Sequence, residues 1–451
     1  MNVLRVILLG LVLMALLRIV RSDDAVTVSF VMRANDYQST YLYRQAEDYV
    51  RLALTRQPWN ATFALRLAEL ARRRGNFDQA RPLIDQAAAL GADPLAIADQ
   101  RAHLAEAQGL FEVAAFFWQE IAEAQPTNAI ASSRLIEAYI RAENWPAAQV
   151  AAEHWAQLGS SRAHLLLGKL LALAEPERAA REFNTANLAA ATDFLRALDQ
   201  SDPALRALLL GRAFLAQTDL TLARRAFDAA INANPAYAEA YAYAGFVREQ
   251  LGRDGRAQLD RAVALDRALG VAWYFRARSA WQRGDLDQAR IDLQTAIELE
   301  PQNRAVATDL GRLLMQRGAW VEAERWLIKA RDLQPADPIG WLALAELYAG
   351  HAYKPELALE VARQAIQRAP SEADAHIWLG AAYVLNGDRA AAESELQRAL
   401  ELEATSALAQ LYLGRLYGRD TEAGRAAYER AVALDPAGPI GAQAKRTLER
   451  P

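Results

Sequence analysis

The side chains able to do chemistry are few and scattered. Five histidines, His103, His154, His164, His351 and His376, lie far apart in 451 residues, without the short spacings that gather metal ligands. There is no cysteine. That removes disulfides, thiolate metal sites, a thiol nucleophile and a lipidated-cysteine anchor. No Gly-x-Ser-x-Gly elbow or dinucleotide fingerprint occurs. Gly252-Arg253-Asp254-Gly255 is a turn, with no following Lys-Ser/Thr to make a phosphate loop. Acidic pairs such as Glu298/Glu300 and Glu401/Glu403 sit at segment ends and read as solvated surface. The side chains that stand out suit recognition: Phe246, Tyr274, Arg278, Trp281, Arg312 and Gln316. Aromatic residues and arginines dominate the energetics of protein interfaces. The chain therefore reads as a non-enzyme without cofactor or metal.

The elements that position these residues follow from a repeat with a period near 34, clearest from Gly270 to Ser406. Trp273, Ala277 and Ala280 share one helical face at i, i+4, i+7. Gly284-Asp285 ends that helix, and Ala289, Leu293 and Ala296 mark the inward face of a second, stopped by Pro301. The pattern returns as Leu310-Gly311, Gly318, Ala323, Leu327, Ala330 and Pro335, then through Trp341, Leu344-Ala345, Tyr348, Ala358, Ala365 and Pro370. It returns again as Leu379-Gly380, Tyr383, Gly387, Ala392, Leu396 and Ala399. Small residues let helices cross closely, and the large neighbours fill what space remains.

This pattern resembles the tetratricopeptide repeat family, with departures at Arg276, on the usual Leu site, and at Thr405, near the usual proline. The resemblance implies an all-α, right-handed α-solenoid of stacked helix-turn-helix repeats. It also implies that a stripe on the first helices lines a concave groove. Tyr274, Arg278 and Trp281 occupy that stripe, matched by Thr308, Arg312 and Met315 in the next repeat and by Ala242, Phe246 and Glu249 in the one before. The expectation is a peptide or loop laid across Phe246, Tyr274, Arg278, Trp281, Arg312 and Gln316. The plainer alternative is that Trp281 only covers its neighbouring helix. Trp118, Trp273 and Trp341 fall on packing positions, and His376 takes the place of a packing aromatic. Some family members bind acidic chaperone tails through Lys and Asn on this stripe; here the corresponding sites carry Tyr274, Thr308, Arg278 and Arg312.

About eleven repeats and two partial ends account for roughly nine-tenths of the chain. The organisation read from sequence is a membrane anchor or signal segment at 1–22, a juxtamembrane linker at 23–40 and a repeat block at 41–186. An irregular joint at 187–203, a second block at 204–436 and a capping helix at 437–451 follow. The joint is alternatively an eroded repeat that packs normally. Within the linker, Val26-Thr-Val-Ser-Phe-Val31 is β-branched enough to suggest extended chain.

The N-terminal apolar run, Val6–Leu17, is twelve residues, short of the ~20 that span a bilayer. Arg5 and Arg18 can snorkel to headgroups, which extends the span to residues 3–20. A single-pass anchor with the repeats outside the cytoplasm is expected. A cleaved signal peptide is the rival, although no small-x-small site follows. Net charge is −4 with only four lysines, Lys169, Lys329, Lys354 and Lys445, so nothing marks a nucleic-acid footprint. The functional expectation is a membrane-anchored scaffold or assembly factor with protein partners. The alternative is a non-catalytic subunit or accessory module of a membrane enzyme or glycosyltransferase complex.

Overall fold

The computed structural model describes residues 26–35, 38, 43–351 and 354–449. The proposed anchor, residues 3–20, lies outside them. Among the described residues there is no strand, and no helix is long and apolar enough to cross a membrane. The chain divides into two compact units, Met1–Ala226 and Phe227–Pro451.

In the first unit, helices follow one another as antiparallel pairs. A helix at 26–35 precedes Tyr43–Arg56; then come Ala61–Arg73 with Phe77–Ala89, and Pro94–Ala107 with Phe111–Ala124. Ala129–Arg141 with Trp145–Gln157, and Ser161–Leu171 with Pro176–Ala186, continue the series. The extended reading of Val26–Val31 is corrected: these residues are helical. Thr27, Phe30, Val31 and Ala34 also satisfy i, i+3, i+4, i+7. Burial of Ala34 in a cluster with Ala46, Val50, Leu67 and Leu70 selects that period over local strand preference. The stretch thus supplies the partner that Tyr43–Arg56 lacked in the sequence reading.

Gly75 and Gly109 supply a left-handed residue to the turns of their pairs. Glu143 and Thr218 take the same backbone conformation, at φ 59° and 61°, without being glycine. The 187–203 segment is packed. Its short helix Thr192–Leu198 places Phe194, fully buried, between Phe183 at 5.2 Å and Phe214 at 4.9 Å. Lys169 lies over the Phe194 ring and pairs with Asp219 at 2.6 Å. Arg224 pairs with Glu143 at 2.5 Å, and Arg225 sits 4.4 Å from the Trp145 ring. Regular repeats touch only their neighbours. Here a turn meets a helix two pairs further along the chain, which is what the inserted segment changes.

In the second unit the pairs are Ala238–Gln250 with Arg256–Leu265, Gly270–Gln282 with Leu286–Leu299, and Arg304–Gln316 with Trp320–Leu333. Pro338–Ala345 runs into a π-helical stretch, Glu346–Gly350, before Pro355–Arg368. Ala373–Asn386 with Arg389–Leu402 and Ala407–Tyr417 with Glu422–Leu434 follow, and Pro439–Glu449 packs Ala444 against Tyr428 and Ala431. The repeat alanines Ala289, Ala296, Ala323 and Ala330 are fully buried. A Cβ on Gly311 would lie 2.5 Å from Leu327 Cδ2, so an alanine there would force that buried side chain to shift.

Arg276, the departure from the usual Leu, is matched by a second departure. Its guanidinium donates twice to Asp292, at 2.8 Å from both Nε and Nη2, and Asp292 is fully buried. Trp118 is core, at 2% exposed. Trp273 and Trp341 are only half-buried, and each indole donates to a backbone carbonyl six residues back, Arg267 and Pro335 respectively. His376 does the same with Nε2 to the Pro370 carbonyl, while Nδ1 meets Glu395 at 2.7 Å. The histidine therefore takes over the hydrogen-bonding part of the tryptophan it replaces.

Candidate functional site

The six recognition residues lie on three successive first helices of the second unit. Ala238–Gln250 contributes Phe246, Gly270–Gln282 contributes Tyr274, Arg278 and Trp281, and Arg304–Gln316 contributes Arg312 and Gln316. Positions 274, 278 and 281 share a face because 3.6 residues make a turn. The structure joins them into two groups. Arg278 lies 5.6 Å from the Phe246 ring centroid and 5.9 Å from that of Tyr274, with Phe246 stacked on Phe275 at 4.4 Å. Separately, Trp281 Nε1 donates to Gln316 Oε1 at 2.7 Å. Arg312 touches neither group by a direct bond; its Nε lies 3.5 Å from Glu346 Oε2. Gln316 is exposed, the other five are half-buried, and the matching positions Thr308 and Met315 are buried.

Two carboxylates absent from the sequence reading organise this face. Tyr274 donates its hydroxyl to Asp309 at 2.9 Å. Burial raises the Asp309 carboxyl above its usual range, opposed by the Tyr274 hydroxyl and by the charges of Arg278 and Arg312. Burial also raises Glu346, opposed by Arg312. Tyr274 is raised as well, by burial first and by the Asp309 charge second. Glu346, the first residue of the π-helical stretch, stands thirty-four residues after Arg312, at the same position of the next repeat. Asp309 stands thirty-five residues after Tyr274, one off the repeat period. Long side chains leaning between helices bridge that offset, so an acid beside the stripe was the available signal.

Chemically, the face offers flat aromatic edges, two guanidiniums held by rings and acids, and an amide. Those are the means of binding a segment of another molecule. Among the described residues, no group of three or more His, Asp and Glu side chains is placed to hold a metal ion.

Paired helices with buried alanines at the crossings and a left-handed residue in the turn define an α-solenoid repeat protein. Tetratricopeptide repeat models match residues 31–96, 280–347, 342–406 and 382–439. The chain belongs to the tetratricopeptide repeat family. Among solved structures it is similar to yeast Tom70, with 17% identity over 94% of this chain and 95% of that one and a TM-score of 0.39. It is also similar to a chain of the APC/C hetero-tetramer Cut9–Hcn1, at 16% identity, 94% and 96% coverage and a TM-score of 0.43. A tetratricopeptide repeat protein from Parabacteroides merdae matches at 16% identity over 55% of this chain and 97% of that one, with a TM-score of 0.44. No curated protein sequence matches the chain.

Proposed function

We propose that the protein is a membrane-anchored adaptor or assembly scaffold that holds a protein or peptide partner on the first-helix face around Arg278. A tetratricopeptide repeat frame suited to protein–protein interaction is the ground on which this rests. The observation that carries it is the clamp itself. Arg278 is held over Phe246 and Tyr274, with Trp281 and Gln316 linked alongside. A guanidinium restrained by two rings has already lost much of its rotamer freedom. Binding through it therefore costs less side-chain entropy than binding through a free arginine. Residues 3–20 are the anchor in this reading, with the repeats outside the cytoplasm. No catalytic step and no nucleic acid enters it.

The test is partner capture from native membranes by the Arg278→Ala/Trp281→Ala chain against wild type. Loss of the co-purifying chain is expected, with unchanged helicity; undiminished capture would sink the assignment. Protease protection in intact and lysed cells tests the anchor and its orientation separately. Repeats digested only after lysis would contradict the extracytoplasmic placement.

A further inference from the structure

The first unit carries an apolar cleft of about 660 Å³ on its second-helix side. Its walls are the helices Phe111–Ala124 and Trp145–Gln157, and its floor is Ala129–Arg141 through Leu135 and Tyr139. The volume is in the range of real binding sites, ~300–1,000 Å³. Ile121 and Trp155 stand where other second helices carry Ala87, Ala296, Ala330 and Ala399. Both are buried, so neighbouring helices cede the space that alanine would have closed. Of the lining side chains, Val150 is 65% exposed and Leu158 is 53% exposed. Large apolar side chains this exposed at an apolar cleft mark an interaction surface.

Charge defines the occupant. The two wall helices carry Glu112, Glu120, Glu123 and Glu153, and neither carries an arginine or lysine. Arg178 neutralises Glu153 at 2.6 Å. Glu123, in the cleft lining, accepts only from the Gln119 amide, at 2.7 Å, and no cation among the described residues pairs with it. The two arginines of the floor helix are occupied, Arg134 by Glu137 and Arg141 by the Phe111 ring. The walls are helices with satisfied backbones and present no strand edge, so an extended chain would find no ladder here. A helix arrives with its own backbone groups paired.

We propose that this cleft is a second docking surface, which seats the apolar ridge of a partner's short amphipathic helix flanked by Lys or Arg. The surface is distinct from the first-helix face around Arg278 and does not depend on it.

The experiment uses the full chain and a fluorescent peptide of about fourteen residues, Leu on one face and Lys on the other, long enough to span a wall helix. A second peptide replaces each Lys by Glu. The Leu/Lys peptide is expected to bind at least tenfold tighter than the Leu/Glu peptide. Val150→Asp, at an exposed position, should weaken it tenfold or more although the substitution adds negative charge. Glu120→Lys/Glu123→Lys should weaken it comparably and flatten its salt dependence. Arg278→Ala/Trp281→Ala should leave it unchanged, which separates failure here from failure of the first-helix reading. Equal binding of the two peptides, or full binding to Val150→Asp, overturns the proposal. So does concentration-dependent self-association abolished by Val150→Asp, which would make a second copy of the chain the occupant.

Discussion

The pair that replaces the usual leucine allows a quantitative test of how this repeat is held together. Asp292 is fully buried and accepts three hydrogen bonds of 2.8 Å, two from Arg276 and one from Gln288. Arg276→Leu would restore the common residue yet leave Asp292 buried with one neutral donor. Losing two charge-assisted bonds at a buried carboxylate predicts a cost of about 3–5 kcal/mol. Asp292→Ala should cost less, about 1–2 kcal/mol. Arg276 is 23% exposed, stays 3.5 Å from Asp260 and lies 4.6 Å from the Trp273 ring. The double variant Arg276→Leu/Asp292→Ala should lie within about 1 kcal/mol of wild type, because apolar replacements of a buried ion pair are often neutral. Repeat arrays need not unfold in one step, so the readout is native-state hydrogen exchange of amides in Gly270–Gln282 and Leu286–Leu299. Additive losses in the double variant, or an Asp292→Ala loss equal to that of Arg276→Leu, would refute the reasoning.

Three further outcomes follow from named contacts. Gly311→Ala should destabilise by about 1–3 kcal/mol, read by denaturant unfolding, because its Cβ would press on fully buried Leu327. Thr218→Gly should stabilise the chain by about 1 kcal/mol in the same assay, since a β-branched residue at φ 61° is strained and glycine is not; a loss would show that the turn is not the source of strain. Asp309→Asn should alter the pH dependence of melting. With the carboxyl raised in the folded state, Asp309 contributes stability that is full below the ordinary carboxylate pKa and lost as pH rises through the raised value. The variant, whose amide oxygen still accepts from Tyr274, should lose less stability than wild type from about pH 4 to neutrality; an unchanged slope would contradict the burial argument.

The sequence by itself determined the repeat, its turns and the lineage of the fold. The period near 34, the turn glycines and the Leu-Gly pairs each answer a local demand, whether for a left-handed backbone, a close crossing or a helix stop. It also placed Tyr274, Arg278 and Trp281 on one face, because a helix of known phase decides which residues are neighbours on its surface. Tertiary structure alone decided what those residues touch. Asp309 lies one residue off the period and Glu346 lies on it, but which neighbouring side chain each one meets, Tyr274 and Arg312 respectively, is decided by the tilt between adjacent helices. Arg276 departs from the repeat pattern, and only the fold sets Asp292 against it. The helix at 26–35 fitted two local periods, and burial of Ala34 chose between them. Glu143 pairs with Arg224, eighty-one residues away, and Phe194 packs between two rings from other helices. Local rules act within about one turn, while a contact between distant segments depends on every crossing angle between them. That is why the frame was legible in the residues and the partners of its side chains were not.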